Sequence, residues 1–185
     1  TARPPGKVVV TGLGIVGLLG AQIFQACGYE VHAVDPDEAR RATAAELGLS
    51  RLYADPPLAD PALAGQVDLV LECSGHEAAA LAGCRLVRKR GEVVLVGVPW
   101  QRGTELYAHD LLHAIFHHYA VVRSGWEWEV PQEPTDFRTG SLYANYAAGL
   151  QWLAAGKVRV RGLFSLMSPA DCQAAYEGLG DRRLR

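Results

Sequence analysis

The chain has 185 residues, 49% of them hydrophobic, and 18 Lys and Arg against 20 Asp and Glu leave a net charge of −2. That is enough apolar material for one substantial core. The lack of a basic footprint argues against nucleic acid as a partner.

The β-branched run within Lys7–Thr11 predicts a buried parallel strand. The segment that follows, Gly12, Leu13, Gly14, Ile15, Val16 and Gly17, predicts a phosphate-binding turn in which each glycine has its own reason. Gly12 lets the backbone turn sharply, Gly14 leaves room for a pyrophosphate against the main chain, and Gly17 lets the next helix lie close to the strand. That helix, Ile15–Cys27, aims unpaired N–H groups and its positive dipole end at the anion, so no Lys or Arg is needed. The uncharged stretch from Val8 to Tyr29 imitates a signal peptide or membrane span, but its glycines and glutamines suit a strand, a turn and a helix better. A soluble cytoplasmic protein with no membrane partner is expected.

The second strand, Val31–Asp35, ends on an acid. Its carboxylate can accept hydrogen bonds from both hydroxyls of an adenosine ribose and repel a 2′-phosphate, which favours NAD over NADP. Pro36 adjoins it, and Asp37 and Glu38 add negative charge. Arg40 and Arg41 are the counter-indication, since an Arg here accommodates a 2′-phosphate; their ordinary reading is a solvated helix face, with Arg40 touching the NAD ribose. A helix over Asp37–Leu47 stops at Gly48.

Arg51–Ala54 is a short edge candidate, and three prolines make Asp55–Gly65 irregular. Val67–Glu72 and Glu92–Val98 are the next strands. A helix over Glu77–Val87 lies between them, closed by Gly91, with Arg85, Arg88, Lys89 and Arg90 as its solvated cationic end. Right-handed crossovers put these strands on the other side of the first. A ligand therefore belongs at the switch point, beyond Gly12, beyond Cys73, Ser74 and Gly75, and beyond Val96 to Pro99. A helix over His109–His118, a strand over Ala120–Ser124, a loop over Gly125–Thr139, a helix over Tyr143–Ala155 and a last helix opening at Ser168 and Pro169 complete the chain. The alternation predicts an α/β, doubly wound parallel sheet covered on both faces. Cys27, Cys73, Cys84 and Cys172 have no metal-ligand spacing and read as small core residues in a reducing compartment.

This order of motifs resembles the cofactor-binding domain of the medium-chain dehydrogenase/reductase family, the zinc-type alcohol and polyol dehydrogenases. The likeness runs from about Lys7 to Gly178. Beyond the glycine turn it includes Val67 to Gly75 (VDLVLECSG), Gly91 to Pro99 (GEVVLVGVP), Gly156-Lys157-Val158 and Ala175-Tyr176-Glu177. It implies a Rossmann-type sheet of six parallel strands in one domain over residues 1–185, with NAD as cofactor. It also implies Asp35 and Arg40 on the adenosine ribose, and Ser74, Val96, Gly97 and Val98 beside the nicotinamide. The strand Ala120–Ser124 would pair with its copy in a homodimer, since an uncovered edge is otherwise a liability. Family members carry the catalytic zinc and most of the substrate pocket on a separate domain, and no residue before Thr1 supplies ligands. The chain is therefore expected to bind cofactor and, alone, to catalyse nothing. It would be part of an enzyme passing hydride between nicotinamide C4 and a small alcohol or carbonyl. Apolar surface around the cleft would be left exposed.

His109, His113 and His117 share a helix face at a spacing that can chelate a metal, although a partly exposed face near a subunit contact is the plainer reading. Trp126 and Trp128 point one way from an alternating segment; Trp126 and Trp100 are candidates to line a substrate pocket. Ser74 lacks a nucleophile elbow and reads as a turn residue. No Tyr-x-x-x-Lys supports a short-chain dehydrogenase, and Val16 departs from the methyltransferase loop. A non-catalytic NAD-binding redox sensor stays open, while Gly12 and Asp35 argue against the zinc-free quinone and enoyl reductases.

Overall fold

The computed structural model describes residues 2–125, 130–138 and 140–180. Its strands are β1 (Lys7–Thr11), β2 (Glu30–Val34), β3 (Leu52–Tyr53), β4 (Val67–Glu72), β5 (Val87–Leu95) and β6 (Val121–Ser124). They form one sheet in the order β3-β2-β1-β4-β5-β6, parallel throughout. Helices α1 (Ile15–Ala26), α2 (Glu38–Glu46), α3 (Glu77–Leu86) and α4 (Ala108–His118) alternate with the strands, and α5 (Leu142–Ala154) and α6 (Cys172–Gly180) follow them. This is the expected α/β Rossmann-type fold.

The sheet is buried on both faces because β1 is apolar at every inner position. Val8 and Val10 pack with Leu18, Ala21 and Leu163 on one side. Val9 packs with Val70, Val93, Leu81, Cys84 and Ala114 on the other. Each fully buried valine contributes roughly 1.5–3 kcal/mol relative to exposure. The chain starts at the centre, runs out to β3 and returns to β4 beside β1, so the connections leaving β1 and β4 part and open a crevice.

Strand β5 departs from expectation. It begins at Val87 and ends at Leu95, not Glu92 to Val98, and the cationic run is not the end of a helix beyond Arg85. Val87, 1% exposed, turns extended and pairs with Val67; the register then shifts between Val67 and Leu69, and Arg90 takes φ +63°. Burying Val87 and bonding Arg88 Nε to Asp68 Oδ1 at 2.7 Å outweigh another helical turn, leaving a bulge in place of the helix end. Gly91 sits inside this strand because an added Cβ would come 3.0 Å from the Val67 carbonyl.

The cysteines also differ: Cys84 is core and Cys73 half-buried, but Cys27 and Cys172 are exposed, one capping α1 and one opening α6. The segment after α5 returns to the sheet through buried Gln22, whose amide donates to the Arg159 carbonyl (3.0 Å) and accepts from its N–H (2.8 Å). Tyr143, Tyr146, Leu150 and Leu153 leave one face of α5 apolar and exposed, and Phe137 is 99% exposed. Among the described residues no helix is long and apolar enough to cross a membrane.

Candidate functional site

A cleft of about 760 Å³ opens at the carboxyl ends of β1, β2 and β4, lined among others by Gly12, Gly14, Asp35, Arg40, Ser74 and His76. Gly12 adopts φ +85°, a left-handed turn, and an added Cβ would lie 2.8 Å from Ser74 N. Gly14 is the N-cap of α1 and brings no side-chain acceptor; no described atom lies within 4 Å of its Cβ position. An added Cβ on Gly17 would overlap the Gly12 carbonyl oxygen. The three glycines thus do the three separate tasks their spacing implied: turning, leaving space, and letting helix approach strand. Ile15 and Val16, each 52% exposed, stand outside the core at the helix start, whereas the Leu13 side chain is buried.

Asp35 is 2% exposed directly after β2. Its Oδ2 accepts the Leu13 N–H at 2.7 Å and lies 3.3 Å from Arg40 Nη1; its Oδ1 accepts the Asp37 N–H at 2.8 Å. Arg41 is not merely a solvated cation, because its Nη1 donates to the carbonyls of Asp35 (2.7 Å) and Pro36 (2.8 Å). Asp37 caps α2, accepting from Ala39 N at 2.8 Å. The cleft thus places the start of α1 beside a buried carboxylate, with the side chains of Arg40 and Arg85 among its lining.

Cys73 and Ser74 line the opposite wall, between the buried Glu72 and Gly75. Burial, with the Glu72 charge nearby, pushes the Cys73 thiol up to about 12, which disfavours the thiolate that a nucleophile requires. Val96 and Gly97 donate their N–H groups to the Glu72 carbonyl, each at 2.8 Å, which brings Val98 against Gly75. Trp100 is 86% exposed and stands outside the cleft wall. Trp126 and the alternating segment around it lie outside the described residues.

Several lining residues carry no local signal. Asp55, Pro56, His76, Arg85 and Leu106 reach the cleft from the loop after β3, from α3 and from the segment before α4. Pro56 stood out in the sequence only as a helix breaker and Arg85 only as part of a solvated cationic run. The histidine rings on α4 follow one another at centroid distances of 5.9 Å (His109 to His113) and 4.1 Å (His113 to His117). Among the described residues no group of three or more His, Cys, Asp or Glu side chains is placed to hold a metal ion. The described residues therefore do not fit a catalytic zinc.

Residues 16–133, more than half of the chain, match the family model for zinc-binding dehydrogenases. The chain belongs to the zinc-binding dehydrogenase family. A sorbitol dehydrogenase of Halalkalibacterium halodurans is 35% identical over 99 residues, 49% of this chain and 29% of that protein. An L-threonine 3-dehydrogenase of Bacillus velezensis is 31% identical over 114 residues, 58% and 33% of the two chains. In structure, the alcohol dehydrogenase TADH from Thermus sp. ATN1 superposes with a TM-score of 0.73 at 25% identity, covering 99% of this chain and 51% of that one. This dehydrogenase-family chain thus spans about a third of the length of these curated relatives and about half of that structure.

Proposed function

We propose that this chain is the NAD(H)-binding domain of a zinc-type medium-chain alcohol or polyol dehydrogenase. The observation that carries the reading is the buried Asp35 carboxylate beside the open Gly14 turn, two features that suit a ribose and a diphosphate side by side. In this reading the first-turn N–H groups of α1 bind the pyrophosphate, Asp35 and Arg40 hold the adenosine ribose, and Ser74, Val96 and Val98 flank the nicotinamide. Bound NAD would supply the hydride acceptor at C4; the residues here bind it, orient it and form part of its walls. The family's zinc and the pocket for the alcohol or carbonyl would come from residues outside those described. The exposed edge of β6 supports a homodimer in which that strand meets its copy, and the reading assigns the protein to the cytoplasm.

Titrating NADH and NADPH against tryptophan fluorescence tests the cofactor. A 2′-phosphate would approach Asp35 with Asp37 nearby, so NADH should bind at least about tenfold more tightly. Equal or tighter NADPH binding overturns the preference, and failure to bind either overturns the reading.

A further inference from the structure

Glu72, the last residue of β4, is 1% exposed. Its carboxylate gathers the turn that follows: Oε1 accepts the Ser74 N–H at 2.7 Å and also the Ser74 hydroxyl, and Oε2 accepts the Gly75 N–H at 3.1 Å. Thr11 Oγ1, at the end of β1, lies 3.4 Å from the same Oε1. The Glu72 carbonyl meanwhile accepts the N–H groups of Val96 and Gly97 where the chain leaves β5. One residue thus ties together three strand ends.

The two tied segments also bear on each other. An added Cβ on Gly75, which sits at φ +70°, would come 2.5 Å from the Val98 carbonyl oxygen, and one on Gly97 would overlap Gly75 N. The turn cannot move without moving Val98. The glycine turn after β1 packs against Ser74 but also has anchors of its own, since Gly12 N donates to the Val34 carbonyl at 2.9 Å and Leu13 N to Asp35. The two halves of the cleft meet at Gly12 and Ser74, and beyond that contact their supports differ.

We infer that Glu72 is a positioning residue that sets the half of the cleft between β4 and β5, where the second nucleoside of a dinucleotide would lie. The inference rests on the dinucleotide reading above. An ionised carboxylate only accepts hydrogen bonds, and the surrounding Ser74 N–H, Ser74 hydroxyl and Gly75 N–H all donate, so charge and geometry agree. A glutamine of the same shape would turn an N–H₂ toward the Gly75 N–H and remove the charge that shortens the other bonds. It would leave the Val34 and Asp35 anchors of the Gly12 half in place.

The test compares NADH with ADP-ribose, which lacks the nicotinamide ring, on the wild-type chain and on Glu72→Gln. Loss of a charged hydrogen-bond partner predicts an NADH Kd raised about tenfold or more, with the ADP-ribose Kd within about threefold of wild type. Glu72→Asp keeps the charge but draws it back by one methylene from Ser74. It should give the same split, and it keeps the test decisive if Glu72→Gln does not fold. Unchanged NADH affinity in either folded variant overturns the inference, as does an equal loss of both ligands, which would mark a purely structural role. A wild-type chain that binds neither ligand overturns the dinucleotide reading itself.

Discussion

The carboxylate of Asp35 and the main-chain N–H of Leu13 are joined at 2.7 Å, so the acid after β2 holds the turn after β1 in place. In the proposed reading, the group that would grip a ribose also shapes the turn that would cradle the phosphates. Replacing it by alanine strands the Leu13 and Asp37 N–H groups, at about 1–3 kcal/mol of stability. Asp35→Ala should lower the thermal midpoint and weaken NADH by about tenfold or more, since both the ribose contact and the turn are affected. A folded Asp35→Ala chain with wild-type NADH affinity would contradict the assignment.

Gly14 and Gly17 lie in one turn but should respond in opposite ways to the same methyl group. At Gly17 a Cβ meets the backbone oxygen of Gly12, which cannot yield as a flexible side chain would. Gly17→Ala should cost about 1–3 kcal/mol or more in denaturant unfolding. At Gly14 the methyl meets no described atom, so Gly14→Ala should stay within about 0.5 kcal/mol of wild type. It should nevertheless weaken NADH several-fold, because the methyl occupies the approach to the helix start. If Gly14→Ala binds as wild type does, the space beside Gly14 is not the phosphate site.

How much of this was legible beforehand follows from the range of the forces involved. The central strands and the turn glycines could be read because their constraints are local: a buried run at β1, and a fixed spacing of residues lacking Cβ. The bounds of β5 could not, although its second half could. Its start depends on Val87 finding Val67 and on Arg88 finding Asp68, partners about 20 positions away, against a local pattern that favours one more helical turn. Cys27 sits in an apolar stretch and still faces solvent because a helix end projects it outward. The Ser74, Asp35 and Gly12 wall was visible in the motifs. His76, Arg85 and Asp55 were not, because three separate connections bring them to the cleft and none carries a periodic signal.

The four thiols should separate into two reactivity classes. Burial pushes Cys84 up to about 11, and burial with the Glu72 charge pushes Cys73 to about 12, whereas Cys27 and Cys172 are exposed. Only the thiolate is alkylated, and at pH 8 groups that weakly acidic are ionised to roughly one part in a thousand or less. Iodoacetamide followed by mass spectrometry should therefore show Cys27 and Cys172 modified early, with Cys73 and Cys84 reacting only after denaturant is added. Rapid labelling of Cys73 in the folded chain would show that its side of the cleft is open and its thiol unperturbed.

Acid should weaken the fold through His32. This side chain is 6% exposed on β2, its Nε2 2.8 Å from Glu30 Oε1 and its Nδ1 3.1 Å from the Tyr53 hydroxyl. Burial lowers its pKa below the usual 6.5, outweighing the opposing hydrogen bond that the ring makes to the Glu30 carboxylate, while Arg51 and Lys7 lower it further. The unfolded chain then takes up a proton before the folded one does. Stability is complete above pH 6.5 and is lost as the pH falls from there through the lower folded-state value. Glu30, lowered chiefly by its hydrogen bond with His32, adds a second loss of the same sign below its usual 4.5. Urea midpoints measured from pH 7.5 to 5 should decline for the wild type and change less for His32→Gln, which cannot titrate. Parallel declines in the two proteins would remove His32 as the source, since both would then be protonating some other group.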